Sequence, residues 1–554
     1  MKNNFIFNIL LNLKNIFKKI PKHIWILIAI TAIGIFLRTY NFHDWLKFDV
    51  DQSRDIALVE KVLNKETDWP TFGPTMRKSQ DSNGNLFHLG PAYYYFQIIS
   101  AKIFGSEPDK LAYPDLLFSI LSIPLFYFFL KNYFSINLSL GLTGLYSVSF
   151  FAIQHSRFAW NPNAIPFFVI LFLLSSYKLL EKRENTHWSW LLLLGIAIGI
   201  GIQLHIIILI LFLFLAFLIS LYLIKSNWRL WKKIIFVIGI VAILNLGQLI
   251  SEIKTDFSNS KILLNSAIVE NSTEKKKFLE NLVENMSCHI EANAYIISSV
   301  GSSDCSFTYA KLINGSNSKK FIKEIKNPIF IVRIFLNALF FIFGIWLLIY
   351  NFHKEEKNPK RYFLALILSY LVLSFIIMLP VSDETFASFR YFNHIFFMPF
   401  IFLGLIANYL NKKSSKFLLP VIFLLFLFFI ITNFNSTKSI AKQLFSKSRS
   451  DAHVTILGET KLMMEYIIEN SDNLNEAYFV GSKDYRALFF PPFSYIAKKE
   501  NFNIYKNENE KMLSGKALFY ITDDLKYCES GLIGNYTIKD YKKFGKIIIY
   551  KVAI

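Results

Sequence analysis

About eleven apolar runs, each near the ~20 residues a helix needs to cross a bilayer, constrain this chain more than any other feature. They fall at 24–40, 111–130, 137–154, 164–180, 188–204, 206–224, 234–252, 328–350, 362–380, 391–410 and 417–434. A soluble protein would not keep so many. The composition agrees, with 53% hydrophobic residues, 58 phenylalanines and only 18% charged residues. The expected fold class is an α-helical polytopic membrane protein.

Positive charge gives the orientation. Lys14, Lys18, Lys19 and Lys22 precede the first run, and further clusters occupy alternate loops: Lys178–Lys182–Arg183, Lys225–Arg229–Lys232–Lys233, Lys354–Lys357–Lys360–Arg361 and Lys412–Lys413–Lys416. Placing all of them on the cytoplasmic side puts the amino terminus inside and the carboxyl terminus outside. Residues 1–23 then read as a cytoplasmic amphipathic helix, with Ile6, Ile9, Leu10, Leu13, Ile16, Phe17 and Ile20 at helical spacing. Residues 24–434 form the transmembrane domain, with a first extracytoplasmic loop at 41–110 and a second at 254–327. Gly90 to Phe104 is apolar but short and carries Pro91, so it is expected to lie at the interface rather than to span. The net charge of +20 is accounted for by cytoplasmic loops and anionic headgroups. No basic, aromatic-interleaved motif points to nucleic acid. Richness in Lys, Asn, Ile and Phe suggests a prokaryote and hence a plasma membrane.

The tail, 435–554, changes composition. TKLMMEYIIENS reads as a helix, EAYFVG, KALFYIT and KIIIYKV as strands, and DYRALFFPPFSYIA as a helix ending before Pro491. A small extracytoplasmic α/β domain is expected, for docking or acceptor recognition, since it carries no nucleophile elbow, P-loop or GxGxxG. The three cysteines exclude a disulfide scaffold, although Cys288 and Cys305 could pair in an oxidising compartment. No CxxC or HExxH spacing marks a metal site, and no cofactor is expected.

The chemistry-bearing residues gather at the predicted outer ends of the helices. FDVDQSRD, after the first span, supplies Asp49, Asp51, Arg54 and Asp55. Asp51 has two readings, a chemical one and that of N-cap to the helix beginning DQSRDIALVEKVL. Arg38, Asp115, His155, Arg157, Asn161, Gln203, His205, Glu252, Asp383, Glu384 and Arg390 occupy other outer ends. Singly they have plain readings: Arg38 as a snorkelling flank, Asp383 and Glu384 as solvated loop residues, His205 as a hydrogen-bonder in a tight turn. Collectively they place ionisable groups at one bilayer face, whereas a transporter is expected to hold them near the midplane. A carboxylate there can act as general base towards a hydroxyl, and arginines can hold a phosphate.

The chain resembles the polyprenyl-phosphate-dependent, membrane-embedded glycosyltransferases of the GT-C superfamily, in particular the protein O-mannosyltransferases and lipid A aminoarabinose transferases. The resemblance rests on Asp51-Gln52-Ser53-Arg54 after the first span and on the interfacial FHLGPAYYYFQIISAKIFG. It continues through HSRFAWNPNAIPFF at the second outer turn to Arg390-Tyr391 with Pro399 in a late span. It implies a polyprenyl-phosphate-sugar donor drawn from membrane lipid, and an acceptor glycan, lipid or protein at the outer face. It also implies inverting transfer without a metal. Asp51 matches the catalytic carboxylate. Arg390, Arg54, His88 and Tyr391 become candidates for the donor phosphate, and Asp49, Arg157, Asn161, His155 and His205 for the sugar or acceptor. Three departures are visible: His88-Leu89-Gly90-Pro91 replaces a Lys-Pro or Pro-Pro, Asn161-Pro162 replaces an Asp-Pro, and the second loop is too short for the β-domain of eukaryotic O-mannosyltransferases. A flippase of lipid-linked sugars and a non-catalytic envelope scaffold are the alternatives.

Overall fold

The computed structural model describes residues 20–80, 85–273, 278–301, 305, 326–356, 359–379, 389–412, 418–445, 455–472, 474–481, 483–506, 515–524, 527, 531–545 and 547–554. Most of the expected amphipathic segment 1–23, together with Asp383, Glu384 and the side chain of Arg390, lies outside them.

The chain enters through α1 (Lys22–Thr39), then α2 (Val50–Leu63), a hairpin of β1 (Thr75–Gln80) and β2 (Leu86–His88), and α3 (Ala92–Phe104). A run of helices follows: α4 (Tyr113–Leu130), α5 (Ile136–Val148), α6 (Ile165–Lys182), α7 (Trp188–Leu204), α8 (Ile206–Ser226), α9 (Trp231–Leu244), α10 (Leu246–Lys254), α11 (Ser258–Thr273) and α12 (Phe278–Ser298). Then come α13 (Pro328–Lys354), α14 (Pro359–Met378), α15 (Met398–Lys412) and α16 (Leu418–Phe445).

Among the described residues, eight helices are long and apolar enough to cross a membrane, and nine if the bent pair α9–α10 is counted as one span. The protein is a multi-pass membrane protein. Among the described residues every predicted run is helical, but four depart from a simple span; that at 391–410 opens as a 3-10 helix, Phe389–Ile395, before α15. The run at 137–154 breaks at Ser149, leaving α5 with 13 residues. That at 188–204 gives α7 with 17 residues, and that at 234–252 bends by 69° between α9 and α10. Helix α3, at 13 residues, is too short to span.

Packing sorts the helices. The window around α6 is 83% buried inside the protein, whereas those of α1, α13 and α16 turn most of their apolar surface outward, as lipid contact demands. Where helices approach closely, glycine makes room. A Cβ on Gly195 would lie 2.6 Å from Ile240 Cβ, and one on Gly199 2.9 Å from Leu244 Cδ1, so α7 and α9 meet along a Gly-x-x-x-Gly face.

The segment expected as a polar loop at 254–327 contains α11 and α12, and α12 buries His289, Asn293 and Ile296 among the bundle helices. Asn433 on α16 secures it, donating to Ile297 O (2.7 Å) and accepting from Phe150 N (2.8 Å). Cys288 and Cys305 are joined as a disulfide.

The tail is a mixed α/β unit, as expected. It contains α17 (Leu457–Glu469), β3 (Glu476–Val480), α18 (Lys483–Lys499), β4 (Asn503–Lys506), β5 (Leu518–Thr522), β6 (Leu532–Ile533), β7 (Tyr536–Phe544) and β8 (Ile547–Ala553). The sheet order is β4-β3-β5-β8-β7-β6, with β3 parallel to β4 and β5 and the remaining pairings antiparallel. One expectation fails: α18 does not stop before Pro491 but runs through Pro491 and Pro492 to Lys499. A helix-interior proline costs about 3 kcal/mol. Phe489, Phe493, Ile496 and Ala497 bury one continuous stripe, and each large side chain contributes roughly 1.5–3 kcal/mol, enough to hold the helix together.

Candidate active site

The site grows from the start of α2. Asp49 is the N-cap: its Oδ1 accepts from Asp51 N (3.1 Å), while Gln52 Oε1 accepts from Asp49 N (3.1 Å), a capping box. The reading of Asp51 as the cap is therefore corrected. The cap sits two residues earlier because Asp49 is the residue with extended backbone (φ −124°, ψ −162°), and Asp51 is already in the first turn. Lys47 Nζ neutralises the other Asp49 oxygen at 2.9 Å. Gln52 Nε2 donates to Ala159 O (2.7 Å), tying α2 to the turn before α6.

Released from capping, the Asp51 side chain is 46% exposed. Its carboxylate meets Arg54, whose Nη1 lies 3.0 Å from Oδ1. The rest of the Arg54 fork is held from behind, Nε at 2.9 Å and Nη2 at 2.7 Å from Asp55 Oδ1. Asp55 is buried, and Tyr94 also donates to it (3.2 Å). Burial pushes the Asp55 carboxyl up to about 6, against the pull of Arg54, and likewise raises the Tyr94 phenol. Beside it, Tyr93 donates to the buried Asp115 Oδ2 at 2.7 Å. Tyr93 and Tyr94 were not among the sequence candidates. The AYYY run that opens an apolar helix was the available signal.

The other sequence candidates fall into three groups. His205 and Tyr391 come together, ring centroids 6.0 Å apart, and with Asn393 and His394 line a small cleft. His205 also caps α8, accepting from Ile207 N (3.2 Å). His155, its Nδ1 2.9 Å from Phe151 O, lines a second cleft with Ser119, Asn163 and Asn393; the two clefts meet at Asn393. Arg157 and Asn161 brace the backbone. Arg157 donates to the carbonyls of Arg38 and Asn41, both at 2.9 Å, and Asn161 to that of Leu204 at 2.5 Å. His88 is fixed by Asn259 of α11, whose side chain bonds both its N–H (2.7 Å) and its carbonyl (3.0 Å).

Arg38 does not snorkel. It is completely buried, donating to Ser119 Oγ (2.9 Å) and to the carbonyls of Ser147 (2.7 Å) and Gly34 (3.1 Å), so its charge is turned into the bundle. Among the described residues, His43, Glu107 and Asp109 place ligand atoms within 4.8 Å of one another. Lys110 lies 2.8 Å from Asp109, and Lys461 3.3 Å from His43 Nε2. Cations already occupy the surroundings of that cluster.

Residues 88–248 match the profile of the dolichyl-phosphate-mannose-protein mannosyltransferase family. The comparison with curated proteins found no match. Among solved structures, the fold is similar to the oligosaccharyltransferase AglB from Archaeoglobus fulgidus, solved with an inhibitory peptide and a dolichol-phosphate: TM-score 0.50, 12% identity, covering 88% of this chain and 64% of that one. The chain thus spans less than two thirds of that enzyme's length. ArnT from Cupriavidus metallidurans bound to undecaprenyl phosphate aligns with a TM-score of 0.46 at 11% identity, over 95% of this chain and 97% of that one. The S. cerevisiae protein O-mannosyltransferase Pmt1-Pmt2 complex aligns with a TM-score of 0.30 at 13% identity, over 45% of this chain and 34% of that one. The resemblance read from the sequence holds: the chain has the GT-C fold of membrane glycosyltransferases, with its match to the mannosyltransferase family lying in residues 88–248.

Proposed function

We propose that the protein is an integral membrane glycosyltransferase that moves a sugar from a polyprenyl-phosphate-linked donor to an acceptor hydroxyl at the extracytoplasmic face of a plasma membrane. The observation that carries this reading is the division of labour at the start of α2. Asp49 caps the helix, and Asp51 is left accessible, with an arginine at 3.0 Å. The family match over 88–248 supports a lipid-phosphate sugar donor.

In the proposed reaction the Asp51 carboxylate takes the proton of the acceptor hydroxyl as its oxygen attacks the anomeric carbon. The bond from that carbon to the phosphate oxygen breaks, and polyprenyl phosphate leaves with the electron pair, inverting the configuration. Arg54, oriented by Asp55, faces this exchange and with Arg390, His88 and Tyr391 is assigned to the phosphate, whose charge grows as it departs. His155, Arg157, Asn161 and His205 are assigned to shaping the sugar and acceptor side. Asp49 is assigned to the helix start, since its oxygens already serve the cap and Lys47.

The test is transfer of radiolabelled mannose or glucose from undecaprenyl phosphate to cell-envelope fractions by the protein in lipid nanodiscs. Asp51→Asn should lower transfer by roughly 10²–10⁴-fold and still bind the donor. Equal transfer by both proteins would remove Asp51 from the chemistry. Movement of intact donor across proteoliposomes by both, with no labelled acceptor, would establish the flippase instead. The labelled fraction names the acceptor class.

A further inference from the structure

The tail is built into the first extracytoplasmic loop. Immediately before the Asp49 cap the chain runs extended, and Lys47 forms an antiparallel bridge with Ile456. Three backbone-directed hydrogen bonds close it: Phe48 N to Thr455 O (3.0 Å), Leu457 N to Leu46 O (2.9 Å), and the Thr455 hydroxyl to Phe48 O (2.5 Å). Thr455 and Phe48 are both buried, and the ring of Phe48 meets that of Tyr495 edge-on at 5.5 Å. Farther along α2, Ile56 and Val59 join one hydrophobic core with Phe489 and Phe493 of α18. At its far end Glu60 pairs with Lys499 at 2.7 Å.

Helix α2 is thus held at its start and along its back by the tail, while Asp51 and Arg54 remain on a more exposed side. From this geometry we infer that the carboxyl-terminal domain is part of the catalytic unit, and that Thr455 is a positioning residue for Asp51. The inference rests on the assignment of Asp51 as the base. The physical link is short. The carbonyl of Phe48 leads directly into the peptide bond of Asp49, so the hydrogen bond that orients it helps set the backbone of the cap, and the cap sets where the first turn points. A displacement of about 1 Å between reacting groups can lower a rate by as much as 10²-fold, without any change in how the donor is bound.

Thr455→Val keeps the β-branched shape and deletes only the hydroxyl, leaving the Phe48 carbonyl without that partner; Thr455→Ser keeps the donor. With the full-length protein in nanodiscs and the undecaprenyl-phosphate donor that wild type uses, Thr455→Val should lower kcat about ten-fold and leave the donor KM within two-fold. Thr455→Ser should restore kcat. Hydrogen exchange of the amides from Phe48 to Gln52 should accelerate in the Val variant alone. An unchanged kcat in Thr455→Val would overturn the inference, as would an equal loss in the Ser variant. If Thr455→Val does not fold, Lys499→Gln, which removes the ion pair to Glu60 at the other end of α2, must show the same loss confined to kcat, and a wild-type rate there counts against the idea. Asp51→Asn run in parallel separates the two claims. Full transfer by Asp51→Asn removes the base assignment itself. A dead Asp51→Asn beside a normal Thr455→Val removes only the role of the tail.

Discussion

Asp55 holds its proton more tightly folded than unfolded, because burial raises its carboxyl from the usual 3.8 to about 6. Between those two values the folded protein binds more protons than the unfolded chain, so stability falls as pH rises through that window and levels off above it. Thermal midpoints of the detergent-solubilised protein between pH 4 and 8 should show this decline, and Asp55→Asn should flatten it. A neighbouring carboxylate behaves otherwise. Asp49→Ala should cost about 1 kcal/mol through loss of the cap, read as a lower midpoint, and should slow transfer although Asp49 is not assigned to the substrate. Asp49→Asn, which caps equally well, should preserve both.

At the scale of elements, the Gly-x-x-x-Gly contact of α7 with α9 leaves no space for a side chain, since a Cβ on Gly199 would meet Leu244 at 2.9 Å and the Val241 backbone at 3.3 Å. Gly199→Leu should therefore destabilise the bundle by about 1–3 kcal/mol or more, measurable as a lowered melting temperature. Gly239→Ala, where an added Cβ meets nothing within 4 Å, serves as the control. The longest spans were legible because an apolar run of bilayer length favours a membrane helix, whereas the break at Ser149 and the bend between α9 and α10 were not. Helix α12 was not, since its polar composition resembles a loop and the packing of the buried His289 ring against Phe341, Phe375 and Phe392 arises only in the tertiary fold. Strand β7 hid behind its lysines and an irregular register between Ile538 and Asp540. The site divides similarly. Asp51 and Arg54 stand three residues apart on one helix and could be read together. The pairing of Tyr94 with Asp55 across 39 positions and of Tyr93 with Asp115 across 22 exists only once the helices are docked.

Across the whole molecule, the tail and the first loop share one core, in which Phe493 is completely buried. Phe493→Ala should cost about 3–5 kcal/mol, and limited proteolysis should then release the first loop and the tail together rather than the tail alone. The bond from Thr455 to Phe48 joins residues 407 positions apart, and this separation governs the birth of the protein. At roughly 5–20 residues per second, a ribosome needs on the order of half a minute after making Asp51 before it supplies the strand that fixes it. A copy cut short between the end of α16 and Thr455 would carry the membrane bundle and its loose carboxylate without the contact that holds α2 at its start. If Asp51 is the base proposed above, transfer would wait until the ribosome has passed Thr455.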